Sequence, residues 1–294
     1  MGRRIDPCSD YGFKIIFGKE ENKRYLISFL NSLFKGEYEI TDVTYINKEQ
    51  NPDSGGNRTM VYDVYCTTND GRHVICEMQN TEKERFGTRS LCYASNALVQ
   101  QCRKGKEWQY DDIKTVVCIS VLNFISPELS NYDSYRKDVT LMDCRTKEEF
   151  SDDLRLIYLT LPKFNKEELE CSDELEHWLF SLKHMETMEQ LPTGMKGTIF
   201  EDLWNKMDYY SLPFEDRIMY DRMMMRKADE KNSLATSRKR GREEGLKEGE
   251  AKGLKEGQRE EKLSTARKMI AMDFPLSQIS QITGLSLEEL EQLK

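Results

Sequence analysis

The chain has 294 residues, 38% hydrophobic and 33% charged, with a formal net charge of −8. That length supports one sizeable core, or one core with an appendage. No run of eighteen apolar residues occurs, so no membrane span is expected, and MGRRIDPCSDYGF lacks the apolar stretch of a secretory signal. Eight cysteines stand at 8, 66, 76, 92, 102, 118, 144 and 171 without a C-x-x-C pair. Buried thiols in a reducing cytoplasm are therefore expected. His73, His177 and His184 are too few and too dispersed for a zinc site. The negative charge weighs against a general polyanion binder, but not against an enzyme that gathers acids around a metal.

From the N-terminus, DYGFKIIFG (10–18) predicts a short helix capped by Ser9 or Asp10 and ended by Gly18. NKRYLISFLNSLF (22–34) predicts a second, with Tyr25, Leu26, Phe29, Leu30, Leu33 and Phe34 on one stripe and Gly36 as its stop. A strand is expected over Ile40 to Asn47, and NPDSGGNR (51–58) is a loop.

MVYDVYCTTNDGRHVICEMQN (60–80) then reads as a β-hairpin, two apolar runs around an Asn69-Asp70-Gly71 turn signal. With a three-residue loop and Gly71 in a left-handed conformation, opposed positions sum to 140 and Asp63 faces Glu77. A two-residue Asp-Gly turn would set Glu77 against Val64 instead. The period of two puts Met60, Tyr62, Val64, Cys66, Val74, Cys76 and Met78 on a core face. Val61, Asp63, Tyr65, His73, Ile75, Glu77 and Gln79 share the other. Like charges directly opposed are destabilising. Either a divalent cation draws the two acids together, Mg²⁺ being suited to two carboxylates, or both acids point to water.

Thr81 or Glu82 through Arg103 predicts a long helix with Leu91, Ala94, Ala97, Leu98 and Gln101 on its core side. Arg85, Arg89, Tyr93, Asn96 and Gln100 form a second stripe. Its arginines either lean back toward the acids to hold a phosphate or form a solvated face. Lys114–Phe124 and Leu154–Leu161 read as strands, the first apolar enough for a buried, parallel position. Between them, 127–153 suits a short hairpin or a partner-facing loop. A helical pattern covers 165–227, anchored by Trp178, Leu179, Leu182, Ile199, Phe200, Leu203 and Trp204.

Composition then shifts. Residues 228–262 carry glycine at 241, 245, 249, 253 and 257. Each mid-helix glycine costs about 1 kcal/mol against alanine, whereas pairs such as Glu243–Lys247 return only about 0.2–0.5 kcal/mol. A fraying helical linker is expected, ordered by self-association, which makes the tail the candidate contact of a homo-oligomer. It is not a P-loop, because no apolar strand precedes it. Residues 263–294 regain apolar side chains as a small helical hairpin turning at Gly284. Its second helix would offer Glu288, Glu289 and Glu291 to a duplex, so folding or partner contact is the expected role. The domain division is 1–227, 228–262 and 263–294.

DYGFKIIFG, YDVYCTTNDGRHVICEMQ (62–79) and RFGTRSLCYAS (85–95) together resemble the recombination-promoting nuclease/putative transposase (Rpn) family of the PD-(D/E)XK nuclease superfamily. The resemblance spans roughly residues 5–230. It implies an α/β fold, a mixed central sheet flanked by helices with a helical C-terminal extension. It implies a cytoplasmic, Mg²⁺-dependent DNA endonuclease of transposase-like type, with Mn²⁺ as a substitute cation. Asp63 and Glu77 would bind the metal, joined by the backbone carbonyl of Met78. Asp10 would complete the site directly or through water. Gln79 stands where the superfamily usually has lysine; it can orient a water but carries no charge. Lys14, Arg85 or Arg89 would supply the missing charge toward phosphate and DNA. The rival reading is a retired nuclease fold acting as an interaction module through its tail.

Overall fold

The computed structural model describes residues 3–46, 61–82, 85–102 and 109–293. Asn47, the loop 51–58, Met60 and Arg103 lie outside these residues. Met1–Tyr220 forms one compact unit and Asp221–Lys294 a second.

In the first unit, α1 (Asp10–Phe17) starts at Ser9, whose hydroxyl accepts the Gly12 amide at 3.0 Å and donates to the Asp6 carbonyl. Gly12 sits so close to that carbonyl that a Cβ would lie 2.1 Å from the oxygen. α2 (Lys23–Leu33) follows, burying Tyr25, Leu26, Phe29, Leu30 and Leu33 as the stripe predicts. β1 (Val43–Tyr45), β2 (Val64–Thr68) and β3 (His73–Gln79) pair antiparallel. α3 (Phe86–Val99) crosses over to β4 (Val116–Leu122), which lies parallel to β3 and is buried along its whole length. β5 (Arg136–Met142) and β6 (Glu149–Thr160) form the hairpin expected in 127–153, with β6 parallel to β4. The mixed six-stranded sheet has the order β1-β2-β3-β4-β6-β5. Parallel neighbours need a crossover, and α3 supplies it between β3 and β4.

α3 packs on one face of the sheet, against Tyr65, Ile75, Val116, Cys118, Leu156 and Tyr158. On the other side stand α1, α2 and α4 (Glu174–His184), whose Phe17, Phe29 and Trp178 rings meet edge to face or tilted. The Tyr45 hydroxyl donates to the Phe17 carbonyl at 2.8 Å and ties β1 to that layer. α5 (Ile199–Lys206) closes on Trp178 through Phe200.

The hairpin register is the three-residue-loop one. Val64 pairs with Cys76 and Cys66 with Val74, and Gly71 has φ +89°. Two expectations need correction. Tyr62 packs with Tyr65 and Tyr93 on the α3 side, because the chain bends at Asp63 and the strand's alternation starts only at Val64. α3 begins at Phe86 rather than Thr81 and buries Phe86, Ser90, Ala94 and Ala97, leaving Leu91 exposed. The glycine-spaced segment is helical, as expected, and lies within α6 (Phe214–Ala271). Three of every four residues there are mostly Glu, Lys, Arg, Leu or Ala, all good helix formers.

In the second unit, the end of α6, α7 (Leu276–Thr283) and α8 (Leu287–Glu291) enclose Ala266, Ile279, Leu285 and Leu290. The turn falls at Gly284, φ +72°. Among the described residues no helix is long and apolar enough to cross a membrane.

Candidate active site

β3 places Glu77 and Gln79 on its α3-facing side, and the bend before β2 places Asp63 beside them. The two strands then exchange a pair of bonds. The Asp63 amide donates to Glu77 Oε1 at 2.9 Å, and the Met78 amide donates to Asp63 Oδ2 at 3.0 Å. Gln79 Nε2 donates to Glu77 Oε2 at 3.3 Å. Lys14 Nζ stands 3.7 Å from Asp63 Oδ1. Opposed like charges are thus held by backbone N–H groups, and hydrogen bonds to a charged acceptor are the strong ones. Glu77 is 5% exposed and Gln79 7%, while the Asp63 side chain is 18% exposed. Neither acid simply points to water.

α3 walls the site. Arg89 Nη2 donates to the Tyr93 hydroxyl at 2.7 Å, and the Tyr62 ring stands edge-on to Tyr93 at 5.3 Å. Asn96 Nδ2 donates to the Tyr62 hydroxyl at 2.9 Å. Glu77, Gln79, Arg89, Tyr93, Cys118 and Ser120 line one narrow cleft. Ser120 was invisible as a site residue, yet parallel pairing sets it level with Glu77. Its only signal is a single polar residue within an apolar strand.

Burial sets the titration of the neighbours. It pushes the Cys118 thiol up to about 12, with the Glu77 charge adding to it. It raises Cys76 well above the ordinary thiol range. Burial also raises Tyr93, against the pull of Arg89. Burial thus favours the protonated form of both thiols.

The remaining candidates lie further out. Asp10 is exposed in the first turn of α1, one turn ahead of Lys14. The carbonyl of Cys8, just before it, accepts Asn80 Nδ2 from beyond the end of β3. Among the described residues no three His, Cys, Asp or Glu side chains gather to hold a metal. Asp10 thus does not complete a three-residue metal cluster with Asp63 and Glu77 among the described residues. Arg85 is exposed at the start of α3 with φ 55° and does not line the cleft.

The donor chemistry fits a hard divalent cation. Two carboxylates and the Gln79 amide supply oxygen, and Mg²⁺ needs only one or two carboxylates because it keeps several waters. Asn123 N–H donates to the Gln79 carbonyl, so odd residues of β3 turn their backbone groups to β4. By alternation the Met78 carbonyl lies along the β2 edge with its own amide, on the side of Asp63. Neither a curated protein nor a solved structure matches the chain. A family model, that of the PD-(D/E)XK nuclease family transposases, matches residues 7–237. The match takes in every strand of this sheet together with Asp63, Glu77 and Gln79, and the chain belongs to that family.

Proposed function

We propose that the protein is a metal-dependent endonuclease hydrolysing phosphodiester bonds in DNA, in the service of transposase-like recombination. The observation that carries this reading is the reciprocal bonding that sets the Asp63 carboxylate beside Glu77, which with Gln79 lines the cleft under α3. Asp63, Glu77 and the Met78 carbonyl are the proposed ligands of Mg²⁺, which Mn²⁺ can replace. When bound, the cation supplies Lewis-acid activation of the phosphate and of the attacking water. Gln79 orients water through its amide while steadying Glu77. Lys14, beside Asp63, and Arg89, steadied by Tyr93, supply positive charge toward phosphate oxygens. Arg85 meets the DNA backbone outside the cleft, and Asp10 acts through water. The nuclease portion occupies 1–227, with 228–294 as a helical tail, and the protein works in the cytoplasm.

The test is relaxation of supercoiled plasmid by the purified protein, with Mg²⁺, with Mn²⁺ and with chelator. Nicking that needs the cation and disappears in Asp63→Asn and Glu77→Gln is expected. Cation-dependent nicking that survives in both variants would falsify the assignment. A wild-type protein without nicking on any DNA form would move the reading to an interaction module.

A further inference from the structure

Among the described residues the sheet ends on one side in β1, only three residues long, and on the other in β5, seven residues of which none is buried. Thr160 N–H donates to the Tyr135 carbonyl and Asp143 N–H to the Glu148 carbonyl. Odd-numbered residues of β5 therefore turn their backbone groups toward β6, and Asp138, Thr140 and Met142 turn theirs away from the sheet. Val139 pairs with Leu156, Leu141 with Ser151 and Met142 with Glu149, so the surplus residues of both irregularities belong to β6. β5 itself has no insertion and no proline, and Leu141 and Met142 are exposed on it. An uncovered edge of this kind is a template for another strand.

Charge narrows the occupant. From 136 to 153 the hairpin has four basic residues (Arg136, Lys137, Arg145, Lys147) against six acidic ones (Asp138, Asp143, Glu148, Glu149, Asp152, Asp153). That balance does not suit a phosphate backbone. It does suit a second β5. A two-fold antiparallel pair must join outward-turned residues to outward-turned residues, so its axis passes through a residue. An axis at Asp138 opposes two carboxylates. One at Val139 sets Lys137 against Leu141 and brings no opposite charges together. One at Leu141 sets Val139 against Asp143. An axis at Thr140 sets Lys137 against Asp143 and Val139 against Leu141, each twice, with Thr140 facing itself. Asp143 holds the amides of Arg145 and Thr146 through Oδ1, so Oδ2 can accept the lysine.

We propose that β5 is the surface on which a second copy of this chain docks, its own β5 antiparallel and centred on Thr140, so that the two sheets become one. The inference rests on the sheet edge and is independent of the nuclease reading.

Directly opposed residues in such a pair have Cβ atoms about 4.5–5.5 Å apart, within reach of a disulfide. The full-length protein would have Cys92, Cys102, Cys144 and Cys171 replaced by Ser, since these thiols are exposed or half-buried. Into it go Thr140→Cys and, separately, Met142→Cys, which would face Asp138 of the other copy. Mild oxidation is expected to link two chains through position 140 and not through 142. Thr140→Pro, which removes two of the outward bonds, is expected to turn a dimer into a monomer by light scattering with circular dichroism unchanged. Equal linking at both positions, no linking at 140, or a dimer indifferent to Thr140→Pro would overturn the proposal. Dimerisation through the tail would give that last result. If Thr140→Pro does not fold, the two cysteine variants decide.

Discussion

Substituting Glu77 separates what its carboxylate does for the fold from what its charge does for the chemistry. Glu77→Ala removes the acceptor of the Asp63 amide and of the Gln79 side chain. Each orphaned buried group costs about 1–3 kcal/mol, and relief of the repulsion from Asp63 offsets part of that. A net loss of about 2–4 kcal/mol is expected, a large fraction of the roughly 5–15 kcal/mol that holds a domain together. Glu77→Gln keeps an oxygen for the Asp63 amide, keeps the volume, and lets Gln79 flip to meet the new NH₂ group. It relieves the same repulsion without orphaning a donor, so stability equal to or slightly above wild type is expected, as is common when a functional charge is removed. Cleavage is expected to fall by about 100-fold or more in both variants. Urea unfolding followed by circular dichroism gives the first quantity and plasmid relaxation the second. Equal stability of Glu77→Ala and Glu77→Gln would refute the reasoning, because the clamp would then do nothing for the fold.

Other substitutions probe separate parts of the molecule. Lys14→Met removes the cation next to Asp63; the side chain is 44% exposed, so stability should change by less than about 1 kcal/mol while cleavage falls about ten-fold, both read on the same two assays. Gly71→Val forces a β-branched residue to φ +89° in the hairpin turn, and a loss of about 1–3 kcal/mol is expected in urea unfolding. Glu176 is buried, which on its own would raise its pKa. Lys166, the Ser172 amide and hydroxyl and the Tyr135 hydroxyl outweigh burial and hold the carboxylate at about 2. A depressed pKa stabilises the fold fully above the ordinary carboxylate range, and the contribution fades as pH falls toward 2. The gap between wild type and Glu176→Gln, about 3 kcal/mol at pH 7, should shrink to about half near pH 3. A gap that stays constant with pH would mean the network does not depend on the charge. Gln79→Lys should raise the Mg²⁺ concentration that half-saturates cleavage, and an unchanged half-saturation would place residue 79 outside the ion's field.

The hairpin was legible because its signals are local. A turn cluster at 69–71 and an alternation of two narrow the pairing to two registers, and the three-residue loop of the structure decides between them. The buried, parallel β4 was equally legible from its continuous apolar run. What could not be read was whatever depends on where a strand stops. Tyr62 belongs by arithmetic to the Val64 face, but pairing ends at Val64 and the bend at Asp63 sends its ring to Tyr93. The start of α3 was likewise misplaced, since a helix boundary is set by the packing of Phe86 on Phe124 and Tyr158 rather than by a cap motif. Asp63 and Glu77 could be paired from sequence, but the reciprocal amide bonds could not. They require that β2 lack a partner residue at the level of Met78, so that the Met78 amide meets the Asp63 side chain instead of a backbone carbonyl.

That missing ladder bond explains how two acids stand together. Each carboxylate satisfies a backbone donor across the hairpin. Gln79 extends the same arrangement. Its NH₂ group serves Glu77, which leaves its carbonyl as one more oxygen in the cleft. A lysine at this position could donate to Glu77 but could offer no oxygen, and it would cancel one of the two negative charges. Glutamine therefore shifts the balance of the proposed site toward holding a hard cation and away from stabilising charge on phosphate. Lys14 and Arg89 sit on helices on opposite faces of the sheet, and under the proposed function the task of meeting phosphate passes to them. The departure at residue 79 then reads as a redistribution of charge between strand and helices, with the cation's demands met on β3 and the phosphate's met around it.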